Sequence, residues 1–147
     1  MTIYFYSLHD EHGCFSNFSR HGFELDGLYW PTSEHYFQAM KFAGTVHAEA
    51  VRTAKTPRQA AEIGRDRKRP LHSDWEQVKD DVMRRAVLRK FESHADIRAI
   101  LLSTADEEIV ENAPKDFYWG CGKDGSGKNM LGKILMEVRQ TLHNASR

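Results

Sequence analysis

Helix start and stop signals recur along the chain from residue 32 onward, and they limit the fold more than any other sequence feature. Three segments begin with a hydroxyl side chain that can accept a hydrogen bond from the first helical turn: at Thr32 or Ser33, at Thr56 and at Ser73. At the second start, Thr56 and Gln59 have capping-box spacing around Pro57. The first two segments run to Gly44 and Gly64, which suit helix ends. These signals predict a helical middle of the chain.

The spacing of apolar residues defines the helices of the second half. The segment that starts at Ser73 has apolar residues near helical spacing, namely Val78, Val82, Val87, Leu88 and Phe91. We expect it to break near Ser93 and His94, before a shorter helix through "IRAILL". The last helix is predicted from about Asn129 to His143, with an apolar face of Met130, Leu131, Ile134, Leu135, Val138 and Leu142.

Short β-segments are predicted mainly at the N-terminal end. Residues 2–7, "TIYFYS", are β-branched and aromatic, and "FELDGLYW" places Asp26 and Gly27 at the turn of a hairpin. The stretch "EEIVEN" is a further candidate strand. With 147 residues, 40% of them hydrophobic, the chain is expected to form one domain, residues 1–147. The predicted fold class is α+β, mostly helical, with a small N-terminal hairpin or sheet.

Composition excludes several classes of function. Basic and acidic residues balance at 21 each, so bulk charge does not indicate a nucleic-acid or membrane partner. Two cysteines, Cys14 and Cys121, indicate no disulfide framework, and we expect a cytoplasmic protein. The histidines and cysteines lack the spacing of metal ligands, so neither a metal nor another cofactor is expected.

The segment "GKDGSGKN", residues 122–129, is one residue short of a nucleotide-binding P-loop. Asn129 stands where a Ser or Thr hydroxyl would bind Mg²⁺, which argues against nucleotide hydrolysis. Two interpretations are left open. Either the backbone N–H groups around Gly125 and Gly127 face a phosphate at the start of the last helix, or the segment is a flexible turn capped by Asn129.

The first helix has a line of polar residues beside its predicted buried face. Glu34, Gln38 and Lys41 share one side of "SEHYFQAMKFAG", and Glu34 and Lys41 lie two turns or ~10 Å apart. The predicted buried face consists of Tyr36, Phe37, Ala39, Met40 and Ala43. The line suits a substrate that meets a carboxylate and an amine. The alternative is an ordinary helix flank with exposed Glu and Lys.

Aromatic and polar residues in two loops suit a flat heterocycle. "GCFSNFS" combines Phe18 with Ser16 and Asn17, and "APKDFYWG" places Asp116 before Trp119. Rings can stack on the faces of a heterocycle while polar groups bind its edges. The alternative is that Phe18 and Trp119 belong to the core. The run "GRDRKRP" offers Arg65 to a phosphate, or it is a solvated basic turn.

Six ordered motifs resemble the NADAR family, also known as YbiA-like N-glycosidases. They are "FSNF", "WPTSEHYFQAMKF", the Ala60 to Arg65 motif, the Trp75 to Met83 motif, Lys90 with Phe91, and the segment from Asp116 to Arg139. The match covers nearly the whole chain. The resemblance implies a YbiA-like α+β fold and cleavage of an N-glycosidic bond in a small ribosylated substrate.

Within that family, the close subgroup acts on phosphorylated ribosylaminopyrimidine intermediates of riboflavin biosynthesis. Other branches imply an alternative, removal of ADP-ribose from guanine in ADP-ribosylated nucleic acid, or a non-catalytic module that binds ADP-ribose or a nucleotide. Glu34 falls on the family's motif acid, while Lys41, Asp116, Trp119 and Asn129 fall on other motif positions.

The resemblance implies roles for the candidate residues. The predicted catalytic residues are Glu34 as acid-base, Lys41 as a cation or as an amine that forms a Schiff base, and Asp116 as support. Because Lys41 lies beside aromatic residues, we expect burial to lower its pKa. The predicted substrate-binding residues are Ser16, Asn17, Phe18, Gln38, Arg65, Trp119, Gly125, Gly127, Lys128 and Asn129.

Overall fold

A computed structural model describes residues 1–146 of the chain. It contains short strands and helices of seven to nineteen residues. In chain order they are β1 (Ile3–Phe5), β2 (Phe23–Leu25), β3 (Leu28–Trp30), α1 (Ser33–Met40), α2 (Val46–Arg52), α3 (Pro57–Gly64), α4 (Trp75–Ser93), α5 (Ala95–Ser103), β4 (Ile109–Glu111) and α6 (Met130–Ala145). This confirms the predicted mostly helical α+β class.

The chain folds into two compact units. The first unit consists of residues 1–19 with the chain from residue 94 onward, and the second consists of residues 20–93. The prediction of one domain over residues 1–147 stays a prediction.

In the first unit, β1 pairs in parallel with β4, and Ile3 lies opposite Ile109. Helix α6 packs on β4 and on α5. Its buried side chains include five from the predicted apolar face, Leu131, Ile134, Leu135, Val138 and Leu142. Phe5 and Phe15 meet edge to face with ring centroids 5.8 Å apart. The parallel pair therefore lies on an apolar helix, as expected for a buried sheet.

In the second unit, β2 and β3 form the predicted hairpin, with Phe23 opposite Trp30. Asp26 and Gly27 both have positive φ, 57° and 79°, as a tight hairpin turn requires. The core of this unit contains the buried residues Phe23, Trp30, Tyr36, Ala39, Phe42, Val51, Ala60 and Ala86. Helix α1 packs against α2, α3 and α4, so it occupies the centre of the unit.

The sequence-based boundaries need two corrections in the second unit. Helix α1 ends at Met40, and residues 41–44 form turns in which Lys41 N–H donates to the Gln38 carbonyl and Phe42 N–H to that of Ala39. Helix α2 was not predicted; it begins after Thr45, whose side chain accepts from His47 N–H. Its seven residues are too few to show a clear apolar period.

The N-terminal signal of α3 is correct in part. Thr56 accepts from Gln59 N–H at 3.0 Å, as predicted, but the Gln59 side chain accepts from Lys55 N–H instead of completing the box. Within residues 1–146, no helix is both long and apolar enough to cross a membrane.

Candidate active site

Helix α1 carries the predicted polar line, and this line is buried. Glu34 is 7% exposed and Gln38 is 3% exposed, while Lys41 is half-buried. All residues from Ser33 to Ala39 are buried, because α2, α3 and α4 cover the helix on several sides. The alternative of an ordinary flank with exposed Glu and Lys is therefore wrong. Of the predicted buried face, Tyr36, Phe37 and Ala39 are buried, whereas Met40 and Ala43 are only half-buried.

A hydrogen bond joins the first two members of the line. Gln38 Nε2 donates to Glu34 Oε2 at 2.8 Å, one helical turn away. The other amide atom, Gln38 Oε1, is buried without a hydrogen-bond partner. Buried polar atoms are nearly always paired, and the exceptions often occur at functional sites. Gln38 thus fixes the carboxylate while keeping one acceptor unused.

Lys41 lies in a partly apolar environment. Its Nζ donates to the Gly64 carbonyl at 3.2 Å and lies 5.8 Å from the ring centroid of Phe37, which packs edge to face on Trp75. Burial lowers the pKa of Lys41 below its ordinary value, and the attraction of Glu34 offsets only part of this effect. The lowered pKa agrees with the expectation from sequence, and it increases the fraction of Lys41 that is a neutral amine at a given pH.

Arg65 follows Gly64 at the end of α3 and is exposed. Its N–H donates to the Ala61 carbonyl and closes the helix. Its positive charge contributes to the lowered pKa of Lys41, so the guanidinium acts on the same group electrostatically. Phosphate binding by Arg65 stays a prediction.

In the first unit, the predicted loop at residues 15–18 is well packed. Ser16 and Asn17 are buried at 8% and 9% exposure, and Phe18 is half-buried. Ser16 Oγ accepts from Phe18 N–H at 3.1 Å. Phe15 is a core residue, whereas Phe18 keeps part of its ring accessible, as stacking requires.

Asp116 shapes the turn that carries Trp119. Its Oδ1 accepts from Tyr118 N–H at 3.0 Å and from Trp119 N–H at 2.8 Å. The rings of Tyr118 and Trp119 meet edge to face at 4.9 Å, and Lys128 Nζ lies 5.4 Å from the Tyr118 ring centroid. Trp119 is half-buried rather than a core residue. The structure therefore gives Asp116 a positioning role here; its catalytic role stays a prediction.

The glycine segment does not present free N–H groups in the way that a phosphate cradle requires. Gly125 N–H donates to the Gly122 carbonyl and Gly127 N–H to that of Cys121, at 3.2 and 2.7 Å. The N–H groups of the next four residues, Lys128, Asn129, Met130 and Leu131, donate to the carbonyls of residues 117, 120, 118 and 119. The N–H groups at the start of α6 thus donate to backbone carbonyls, and within this segment the exposed side chain of Lys128 can still reach a phosphate.

Gly127 instead permits a close approach of two backbone segments. A Cβ at this position would lie 2.5 Å from the Gly120 carbonyl oxygen and 2.7 Å from the Cys121 carbonyl carbon. The glycine is therefore needed for packing, while phosphate contact at Gly125 and Gly127 stays a prediction.

Asn129 also has a structural role. Its Oδ1 accepts from Glu111 N–H and its Nδ2 donates to the Ile109 carbonyl, both at 2.9 Å. The residue adopts a left-handed conformation with φ of 53° and makes no side-chain cap on α6. The capped-turn interpretation is therefore wrong, because the amide ties the start of α6 to β4 instead.

The contacts of Gly64 with Lys41 and Gln38 were not predicted from the sequence. Gly64 was assigned only as a helix end, yet its carbonyl accepts from Lys41 and its Cα lies against the Gln38 amide. The sequence shows the glycine at the end of α3, but the spacing of residues along the chain does not show that Gln38 and Lys41 lie against it.

Comparison with known proteins agrees with this architecture. The NADAR domain model matches residues 4–143. An N-glycosidase of Nostoc punctiforme is 52% identical over 147 residues, which cover 98% of this chain and 94% of the relative. N-glycosidase YbiA of Escherichia coli is 51% identical over 140 residues, which cover 95% of this chain and 88% of YbiA.

A solved structure and a longer relative extend the comparison. The NMR structure of Escherichia coli YbiA matches with a TM-score of 0.91 at 50% identity, covering 99% of this chain and 86% of that chain. A Zea mays protein named riboflavin biosynthesis protein PYRR is 41% identical over 155 residues, covering 95% of this chain and 25% of that protein. The chain is a hydrolase that acts on N-glycosyl compounds. It belongs to the NADAR family.

Proposed function

We propose that this enzyme hydrolyses the N-glycosidic bond of phosphorylated ribosylaminopyrimidine intermediates of riboflavin biosynthesis. The observation that carries the chemistry is the buried line on α1, where Glu34 is bound by Gln38 and a desolvated Lys41 follows. The substrate class is supported by the similarity to a protein named for riboflavin biosynthesis.

Glu34 is the proposed acid-base group. Breaking a ribosylamine bond leaves an electron pair on the aglycone nitrogen, which must take up a proton. In this mechanism the Glu34 carboxylate, held in place by the hydrogen bond from Gln38 Nε2, first accepts a proton and then returns it. Its low exposure keeps bulk water from replacing it in this role.

Lys41 is the proposed nucleophile. Ring opening breaks the C1–O bond of the ribosylamine, the ring oxygen takes up a proton from water, and C1 is left in a protonated imine with the aglycone nitrogen. The neutral amine of Lys41 attacks C1, the π electrons of the imine move to the aglycone nitrogen, and Glu34 takes one proton from the Lys41 nitrogen. The bond from C1 to the aglycone nitrogen then breaks with its electrons on nitrogen, which receives that proton from Glu34. Water hydrolyses the resulting lysine imine, so the sugar leaves as its aldehyde and the amine is restored.

Two further residues of the second unit bind the substrate in this proposal. Gln38 Oε1, buried and without a partner, accepts a hydrogen bond from a sugar hydroxyl. Arg65, exposed directly after Gly64, binds the phosphate. The binding roles of Ser16, Asn17, Phe18, Trp119 and Lys128 in the first unit stay predictions, as does a cytoplasmic location.

A release assay tests the proposal. Free base is quantified after incubation with phosphorylated ribosylaminopyrimidines, their dephosphorylated forms and guanine-linked ADP-ribose on DNA. We expect release from the phosphorylated pyrimidines at a kcat/KM at least about tenfold above the other substrates, since a lost charged contact costs about that much. If guanine-linked ADP-ribose were cleaved preferentially, it would be the substrate instead of the ribosylaminopyrimidines. If the protein bound these compounds but released base from none of them, it would be a binding module.

A further inference from the structure

Gly64 lies on α3, where this helix packs tightly against Gln38 of α1. A Cβ at position 64 would lie 2.0 Å from Gln38 Oε1, 2.6 Å from its Cδ and 2.8 Å from its Cβ. These distances are shorter than real Cβ contacts. The φ of Gly64 is outside the left-handed region, so the position requires glycine for space rather than for backbone conformation.

The same residue contacts Lys41 directly and is linked to Glu34 through Gln38. Its carbonyl accepts from Lys41 Nζ at 3.2 Å. Its Cα surface leaves room for the Gln38 amide, whose Nε2 donates to Glu34. We propose that Gly64 is a positioning residue that holds Gln38 against Glu34 and fixes Lys41 through its carbonyl oxygen, an inference that rests on the function proposed above.

A methyl group at position 64 would disturb both contacts. Rotation of Gln38 would move Oε1 and Cδ away, but it would also remove Nε2 from Glu34. Rotation does not relieve the conflict with Gln38 Cβ, which the backbone of α1 fixes, so α3 has to move away from α1. That movement takes the Gly64 carbonyl away from Lys41. Because Glu34 and Gln38 are buried, water does not simply replace the lost bonds.

The kinetic test compares Gly64→Ala with Glu62→Ala, a control at an exposed position of the same helix. We expect Gly64→Ala to lower kcat by at least about tenfold with KM changed less than about threefold, because small misplacements of catalytic groups reduce the chemical step. The control should retain wild-type kcat. A Gly64→Ala enzyme with wild-type kcat would overturn the inference.

A double-mutant cycle separates positioning from general damage. Gln38→Gly removes all three atoms nearest to the new methyl group, Cβ included, together with the bond to Glu34, so Gly64→Ala should then lower kcat at least about fivefold less than in the wild-type background. Equal fold-losses in both backgrounds would overturn the inference. If Gly64→Ala alone does not fold, the Gln38→Gly, Gly64→Ala enzyme should recover folded protein, and failure to do so would also count against it.

A measurement on the wild-type chain does not depend on turnover. The Gln38 side-chain amide resonances, assigned by their loss in Gln38→Ala, should exchange with solvent far more slowly than those of exposed Gln59, and they should shift in Glu34→Gln. Exchange as fast as that of Gln59 would overturn the contact itself. If the Gln38 amide exchanged slowly but the protein released no base, the contact between Gln38 and Glu34 would stand and the proposed function would be wrong.

Discussion

At the scale of single residues, the position of Lys41 distinguishes two kinds of catalysis. A lysine with a lowered pKa, hydrogen bonded only weakly to a carbonyl, can act as an amine rather than as a fixed cation. The attraction of Glu34, two turns before Lys41 on the same side of the helix, opposes this lowering of the pKa. The balance favours a nucleophile whose neutral fraction increases with pH.

Borohydride trapping tests the covalent role of Lys41. Reduction during turnover should add the sugar to the wild-type protein, and peptide mapping should place it on Lys41. The yield should rise with pH toward the lowered pKa of Lys41, because only the neutral amine attacks. Lys41→Arg keeps the charge but cannot form the imine, so it should give no adduct.

Two results would contradict the covalent role: normal turnover by Lys41→Arg, or the absence of a sugar adduct when borohydride is added to an active wild-type reaction. Lys41 would then bind the substrate only through its charge. Direct attack by water would then replace the covalent step.

His35, next to Glu34, couples stability to pH. The ring is fully buried; it contacts Thr32 Oγ1 through Nδ1 at 2.8 Å and the Ala54 carbonyl through Nε2 at 2.9 Å. Burial lowers its pKa, and repulsion from Arg20 adds to this effect although the bond to Ala54 opposes it. The unfolded chain takes up a proton near pH ~6.5 while the folded chain does not.

The free energy of unfolding should therefore be highest above pH ~6.5 and fall as the pH decreases toward the folded pKa. In urea titrations between pH ~5 and ~7.5, this slope should be smaller in His35→Gln than in the wild type. His143→Gln, at an exposed position of α6, is the control and should keep the wild-type slope. An unchanged slope in His35→Gln would show that His35 is not the responsible group.

At the scale of secondary structure, the segment before α6 is held by its own backbone. Six backbone N–H groups between residues 125 and 131 donate to carbonyls of residues 117–122. They belong to Gly125, Gly127, Lys128, Asn129, Met130 and Leu131. Spacing of glycines suggested a phosphate cradle because the sequence shows which N–H groups are unhindered, but not which carbonyls reach them. The likeness to a P-loop therefore does not extend to its hydrogen bonding.

Asn129 should contribute strongly to the stability of this segment. Asn129→Ala loses two bonds to the β4 backbone and leaves at φ 53° a residue that tolerates the left-handed conformation less well than Asn, so we expect a loss of about 2–4 kcal/mol in the free energy of unfolding. Asn129→Gly loses the bonds but tolerates the backbone, and its loss should be about 1 kcal/mol smaller. Chemical denaturation measures both values. If Asn129→Gly kept wild-type stability, the two side-chain hydrogen bonds of Asn129 would not stabilise the fold.

At the scale of the whole molecule, sequence patterns predicted the element types better than the burial. The hairpin at Asp26 and Gly27, the break between α4 and α5, and the α6 face were predicted because turn residues and apolar periods act locally. The polar line of α1 was predicted from the same helical geometry. Its burial was not predicted, because it depends on how α2, α3 and α4 pack around α1, which helical periodicity does not show.

The most direct test of the account is single-turnover release of free base from a phosphorylated ribosylaminopyrimidine by the wild type and Glu34→Gln. We predict that the folded Glu34→Gln protein binds the substrate but releases base at least about a hundredfold more slowly, since it lacks the acid-base group. The control Glu62→Gln, at an exposed position of α3, should release base at the wild-type rate. Near-normal release by folded Glu34→Gln would contradict the central claim that α1 carries the chemistry.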